Sequence, residues 1–154
     1  MRLDEASLAR WGERIGETVE TPVVLGLQGE LGAGKSVLAR AIGKGAGVSA
    51  AMPSPSFNLV FRYPAGLGRE GVHLDLYRVA APDELWELGW QSLGAEHEIV
   101  IVEWPERADS LMPPDHWLIE LSNTPGKSEL RDVAVRRVGA PPDLAAFPMS
   151  VSVP

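Results

Sequence analysis

An eight-residue run near the start of the chain, Gly29-Glu30-Leu31-Gly32-Ala33-Gly34-Lys35-Ser36, constrains the fold more than anything else in the 154 residues. It fits the phosphate-binding pattern GxxxxGK[ST] at every fixed position. Glycines let the backbone curl so that successive N–H groups point inward at phosphate oxygens. Lys35 is then placed to reach the β- and γ-phosphates, and the Ser36 hydroxyl to ligate Mg²⁺. The pattern carries meaning only between a strand and a helix. Residues 22–28 read as a short buried strand, and residues 37–42 as a helix ending near Gly43 and Gly45. That helix adds its positive N-terminal dipole to the anion site. A Gly-rich turn matching by accident would not bring both flanks with it, so nucleotide binding is the expectation, with Lys35 in a solvent-facing cradle.

At 45 % apolar residues the chain can bury one core, most simply as a single domain over residues 1–138, with a loosely held Pro-rich tail over 139–154. No stretch approaches the roughly 18–20 uncharged apolar residues of a membrane span. The N-terminus, Met1-Arg2-Leu3-Asp4-Glu5, has acids where a signal peptide has its apolar core, and there is no Cys. A cytoplasmic location is expected. A net charge of −7 argues against a chain that grips nucleic acid by itself through a broad basic face. Any polynucleotide is expected to be held by a partner.

Leu8, Trp11, Ile15 and Val19 fall on one stripe at helical spacing, which predicts an amphipathic helix over residues 4–19. Residues 52–56, with two prolines, read as an extended loop. Two strands, 57–63 and 71–76, are separated by a turn over 64–70 and predict an antiparallel hairpin. Pro82-Asp83-Glu84 has the signature of a helix start, with a second short helix over 90–95. Ile99-Val100-Ile101-Val102 is an unbroken β-branched run, as expected of a strand buried on both faces. Residues 117–121 and 130–138 are further strand candidates. The expected architecture is a three-layer α/β domain of the P-loop NTPase type, its mixed sheet including an antiparallel hairpin.

Such a phosphate loop needs a carboxylate on a second strand to complete the Mg²⁺ shell, and Glu103 ends the only four-residue β-branched run. Trp104 follows it directly and must lie near the nucleotide. In His73-Leu74-Asp75-Leu76-Tyr77-Arg78, strand alternation puts His73, Asp75 and Tyr77 on one face, outward or toward a cleft. Asp75 is either a second acid near the metal or its attacking water, or part of an ordinary half-exposed strand. Ser54-Pro55-Ser56-Phe57 is either a γ-phosphate-sensing switch loop with Ser56 as sensor, or a Pro-rich turn. A guanine-reading N-K-x-D loop is missing from the sequence. A small-molecule kinase and a non-catalytic ATP-sensing module remain as alternatives.

Four blocks, residues 29–36, Ser54-Pro55-Ser56-Phe57, His73-Leu74-Asp75-Leu76-Tyr77-Arg78 and Val102-Glu103-Trp104-Pro105, together resemble the TsaE family in order and spacing over residues 3–138. Ser36 and Ser56 stand where that family more often has Thr, and both keep the hydroxyl. The resemblance implies a slow Mg²⁺-dependent ATPase required for the threonylcarbamoyl modification of adenosine in tRNA. It implies docking on the TsaD–TsaB pair, with tRNA met only through that complex and self-association left open. It also implies that Lys35 neutralises phosphate charge, that Ser36 and Glu103 ligate Mg²⁺, and that Asp75 supports metal or water. Arg131 and residues 4–7 are implied on the base side.

Overall fold

The computed structural model describes residues 1–49 and 60–146. Seven strands form one mixed sheet: β1 (Arg2–Asp4), β2 (Val23–Gln28), β3 (Val60–Pro64), β4 (Glu70–Asp75), β5 (Glu98–Glu103), β6 (His116–Thr124) and β7 (Lys127–Val138). Their order across the sheet is β1-β7-β6-β2-β5-β4-β3. The four inner strands β6, β2, β5 and β4 run parallel. The β3–β4 hairpin closes one side, and antiparallel β7 and β1 close the other. Hairpin, mixed sheet and central β5 are as the sequence predicts; the three-residue β1 is an addition.

Helices α1 (Glu5–Thr18) and α2 (Lys35–Gly45) cover one face. Asp4 caps α1 by accepting the Ser7 N–H at 2.7 Å. The predicted stripe is buried, with Leu8, Trp11, Ile15 and Val19 packed with Leu25, Leu27, Leu38, Ile42 and Ile101. The two helices touch backbone to backbone. A Cβ on Gly45 would collide with the Glu13 carbonyl, and one on Gly16 with the Ile42 carbonyl. The opposite face, Val24, Val72, Leu74, Val100 and Val102, packs against Leu85, Trp90 and Ala108. That third layer is made of 3₁₀ segments, among them Pro82–Leu88 and Trp90–Ser92, rather than the two helices expected there. Pro82–Leu88 buries only Leu85 before Gly89, at φ 74°, ends it. So short a segment gains little from a second α-helical turn.

The Pro-rich stretch corrects a second expectation as far as residue 146. The Trp117 indole N–H donates to the Pro142 carbonyl at 2.7 Å and the Trp11 N–H to the Ala145 carbonyl at 3.0 Å. Arg137 stacks 4.4 Å from the Trp117 ring centroid and bonds Pro141 O and Asp143. Proline lacks a donor but keeps its carbonyl, and a buried indole N–H requires an acceptor. No helix among the described residues is long and apolar enough to cross a membrane.

Across β3, β4 and β5, Arg62 donates to Glu70 at 2.6 Å and to Glu98 at 2.8 Å. Glu98 also accepts the Gly94 and Ala95 amides at 2.9 and 3.3 Å. Burial alone would raise the Glu98 carboxyl, but the Arg62 hydrogen bond, the two amides and the Arg62 charge together hold it below its usual 4.5. A depressed carboxyl stabilises the fold above the unfolded value and loses that contribution as pH falls through the folded one. Glu98→Gln should therefore cost about 1–2 kcal/mol at pH 7, and its difference from wild type should shrink as pH drops below about 4.5 in urea denaturation. Gly45→Ala should cost about 3 kcal/mol at any pH, because α1 must move off α2. An unchanged unfolding midpoint would show that the helix crossing tolerates the methyl group.

Candidate functional site

Residues 29–34 link the end of β2 to the start of α2. Gly34 closes the turn at φ 103°, a left-handed conformation that favours glycine, and α2 begins at Lys35. The loop amides thus gather at a helix N-terminus, the geometry of an anion cradle. Lys35 Nζ donates to the Gly29 carbonyl and, at 2.8 Å, to the Glu30 carbonyl. It lies 4.4 Å from the centroid of the Trp104 ring. Lys35 is only 5 % exposed, which corrects the expectation of a solvent-facing lysine. Its long stem packs inward while its head meets loop carbonyls and an indole face. Burial pushes the ammonium below its usual 10.5, while Glu103, Glu106, Asp75 and Glu30 pull it back up.

Parallel pairing sets Leu27 of β2 and Asp75 of β4 beside Glu103 at the end of β5. Strand ends on a parallel sheet lie together at one edge, where open α/β sheets gather their binding residues. Glu103 is 3 % exposed, and its two oxygens face different partners. Oε1 lies 3.5 Å from Ser36 Oγ and Oε2 lies 2.5 Å from His73 Nε2. Immediately after it, Trp104 adopts φ 59°, ψ 51°, which turns the chain and carries the indole over Lys35 and to 5.0 Å from the Tyr77 ring. Asp75 is partly exposed and accepts the Tyr77 amide at 3.0 Å. Burial pushes its carboxyl above the usual 3.8, the Tyr77 amide opposes that, and Glu103 reinforces it.

These groups face a cleft of about 750 Å³ whose lining includes the loop, Lys35, Ser36, Asp75, Glu103, Trp104, Asp4, Glu5 and Arg131. Its size is that of a small-molecule site. Ser36, Glu103 and Asp75 offer hard oxygen donors, a set that fits Mg²⁺. Arg131 Nη1 donates to the Ser128 carbonyl at 2.7 Å and Nη2 to the Gly32 carbonyl at 3.3 Å, tying β7 to the loop. Outward placement of the His73 face is corrected in part. His73 is 1 % exposed because both faces of β4 are covered, whereas Tyr77 lies past the strand end and is 42 % exposed. A second cluster, Glu70, His97 and Glu98, brings its ligand atoms within 4.8 Å of one another. Arg62 already engages both of its carboxylates.

Comparison with known proteins identifies the family and supports the fold. The model of the family described as threonylcarbamoyl adenosine biosynthesis protein TsaE matches residues 3–132. The chain belongs to the TsaE family. It is 32 % identical over 123 residues to the tRNA threonylcarbamoyladenosine biosynthesis protein TsaE of Haemophilus influenzae, covering 77 % of each chain. To the protein of the same name from Streptomyces coelicolor it is 32 % identical over 132 residues, covering 83 % of this chain and 88 % of that one. The crystal structure of Bacillus subtilis YdiB shares the fold, with a TM-score of 0.72 at 21 % identity over 90 % of this chain and 84 % of the other.

Within this TsaE-family fold, Lys35, Ser36, Asp75, Glu103, Trp104 and Arg131 come together at one cleft, while Ser56 lies outside the described residues. The contact that sequence reasoning missed is His73 with Glu103. Strand alternation put His73 on the face of Asp75, but the parallel register that sets it beside β5 is not written in either strand. Lys35→Met should weaken nucleotide binding on the order of 30- to 150-fold, the equivalent of about 2–3 kcal/mol for a charge-assisted contact. Isothermal titration with ATP checks this, and equal affinities for mutant and wild type would remove Lys35 from the phosphate site.

Proposed function

We propose that this chain is an ATP-binding, slowly ATP-hydrolysing protein of tRNA threonylcarbamoyladenosine biosynthesis, acting in the cytoplasm and docking on a TsaD–TsaB pair. The observation that carries the reading is the convergence of Lys35, Ser36 and Glu103 on one cleft at the end of the glycine loop. Family membership supports the pathway.

On this reading the loop amides and Lys35 bind the β- and γ-phosphate oxygens, exchanging the Gly29 and Glu30 carbonyls for phosphate as partners of the ammonium. Ser36 Oγ and Glu103 Oε1 hold Mg²⁺, which when bound screens phosphate charge and favours attack at phosphorus. Asp75, on the neighbouring strand end, orients the attacking water. Trp104 walls the phosphate end of the cleft from solvent, and Arg131 with residues 4–6 forms the side for the base. A slow ATPase that acts on a partner should commit to hydrolysis when docked, so coupling is read as a rate change on complex formation.

Phosphate release by wild type and Glu103→Gln, each alone and with TsaD–TsaB, tests the reading. The glutamine keeps the shape but not the charge a hard cation prefers, so nucleotide should still bind while Mg²⁺-dependent hydrolysis falls on the order of tenfold or more. A mutant hydrolysing like wild type would move the metal role to Asp75. A wild type that TsaD–TsaB neither binds nor accelerates would overturn the docking role.

A further inference from the structure

The proposed chemistry leaves without a task a buried polar side chain that touches Glu103. His73 sits inside β4 between Val72 and Leu74, all three essentially without solvent exposure. Its Nε2 is 2.5 Å from Glu103 Oε2, and its Nδ1 is buried with no hydrogen-bond partner among the described residues. If Glu103 serves as a metal-ligating carboxylate it can only accept, and the imidazole then donates to it from Nε2. Among the described residues the ring's one polar contact is therefore Glu103.

That economy argues against a packing role. A buried nitrogen without a partner costs free energy, and an apolar side chain would fill a position flanked by Val72 and Leu74 with no such cost. The carboxylate, in contrast, needs the ring. Terminal carboxylate torsions are soft, and a glutamate at a strand end can turn either oxygen, or neither, toward Ser36. Holding Oε2 from one side fixes the plane and leaves Oε1 directed at Ser36 Oγ, 3.5 Å away. The donor is mounted on an inner strand whose register sets His73 beside Ile101, two residues before Glu103 on β5. A Lys or Arg there would hold the oxygen as well, but would add a permanent positive charge beside a cation site, which an imidazole need not carry.

We propose that His73 is the positioning residue for Glu103, taking up one carboxylate oxygen so that the other is presented to Ser36 and a divalent cation. The proposal rests on the reading of Glu103 and Ser36 as Mg²⁺ ligands. Partners that orient ligating groups in this way typically govern metal affinity by about 10–100-fold.

The test uses the full chain and three variants, His73→Gln, His73→Asn and His73→Leu. ADP binding is measured calorimetrically in EDTA, and Mn²⁺ binding to the ADP-saturated protein by electron paramagnetic resonance. His73→Leu should bind ADP in EDTA within about twofold of wild type yet bind Mn²⁺ about 10–100-fold more weakly. The Gln amide reaches as far as Nε2 and should restore Mn²⁺ affinity to within a few-fold. The Asn amide reaches only as far as Nδ1 and should not restore it. Should His73→Leu fail to fold, the Gln–Asn contrast decides alone. Mn²⁺ affinity equal to wild type in His73→Leu, or equal losses in the Gln and Asn variants, would make His73 a packing residue and overturn the proposal while leaving the ATPase reading intact. A wild type that binds ADP but gains nothing from Mn²⁺ would overturn the metal-ligand reading, and the proposal with it.

Discussion

The parallel pairing of β2 with β5 is the constraint on which the rest of this molecule depends. One strand ends in the glycine loop and the other in Glu103, and the register Leu27 opposite Glu103 brings the two ends to the same edge of the sheet. Both strands are buried on both faces, and slipping the register by one residue would turn a whole apolar set from one packed layer into the other. The core therefore holds the distance between a helix N-terminus and a carboxylate. Site geometry here is a consequence of packing at Leu25, Leu27, Ile99 and Ile101, none of which touches the cleft.

Around that axis the site is a negotiation over a few buried charges. Lys35 and Glu103 both leave water, and neither faces the interior alone: the lysine meets loop carbonyls and the Trp104 ring, the glutamate meets Ser36 and His73. Buried ionic groups without such partners would cost several kcal/mol each. The Trp104 turn serves both sides, since its left-handed backbone ends the strand after Glu103 and carries the indole over the lysine. Asp75 is the contrasting case. It is less enclosed, keeps one backbone hydrogen bond, and borders the open cleft.

Peripheral elements behave differently from the core. The third layer is built of 3₁₀ segments that bury Leu85 and Trp90 but leave Trp86 half exposed. Residues 139–146, after β7, have no regular structure, yet two indole donors hold their carbonyls against α1 and β6. In both places specific side-chain anchors do what periodic hydrogen bonding does elsewhere, and neither is visible as periodicity.

What the sequence determined by itself was local. The glycine loop between strand and helix, the α1 stripe, the hairpin and the unbroken Ile99-Val100-Ile101-Val102 run follow from turn chemistry, the 3.6-residue period and β-branching, which act over a few residues. They sufficed for an α/β class and for Lys35, Ser36 and Glu103 as a set. The burial of Lys35, the enclosure of His73 and the tie from Arg131 to Gly32 were decided only by tertiary structure. Each depends on which strand lies beside which, and in what register. A side chain's solvent and its partner are set by residues distant in the chain: His73 reads as half-exposed from its own strand and becomes buried only because helices cover one face of the sheet while β5 and β3 flank β4.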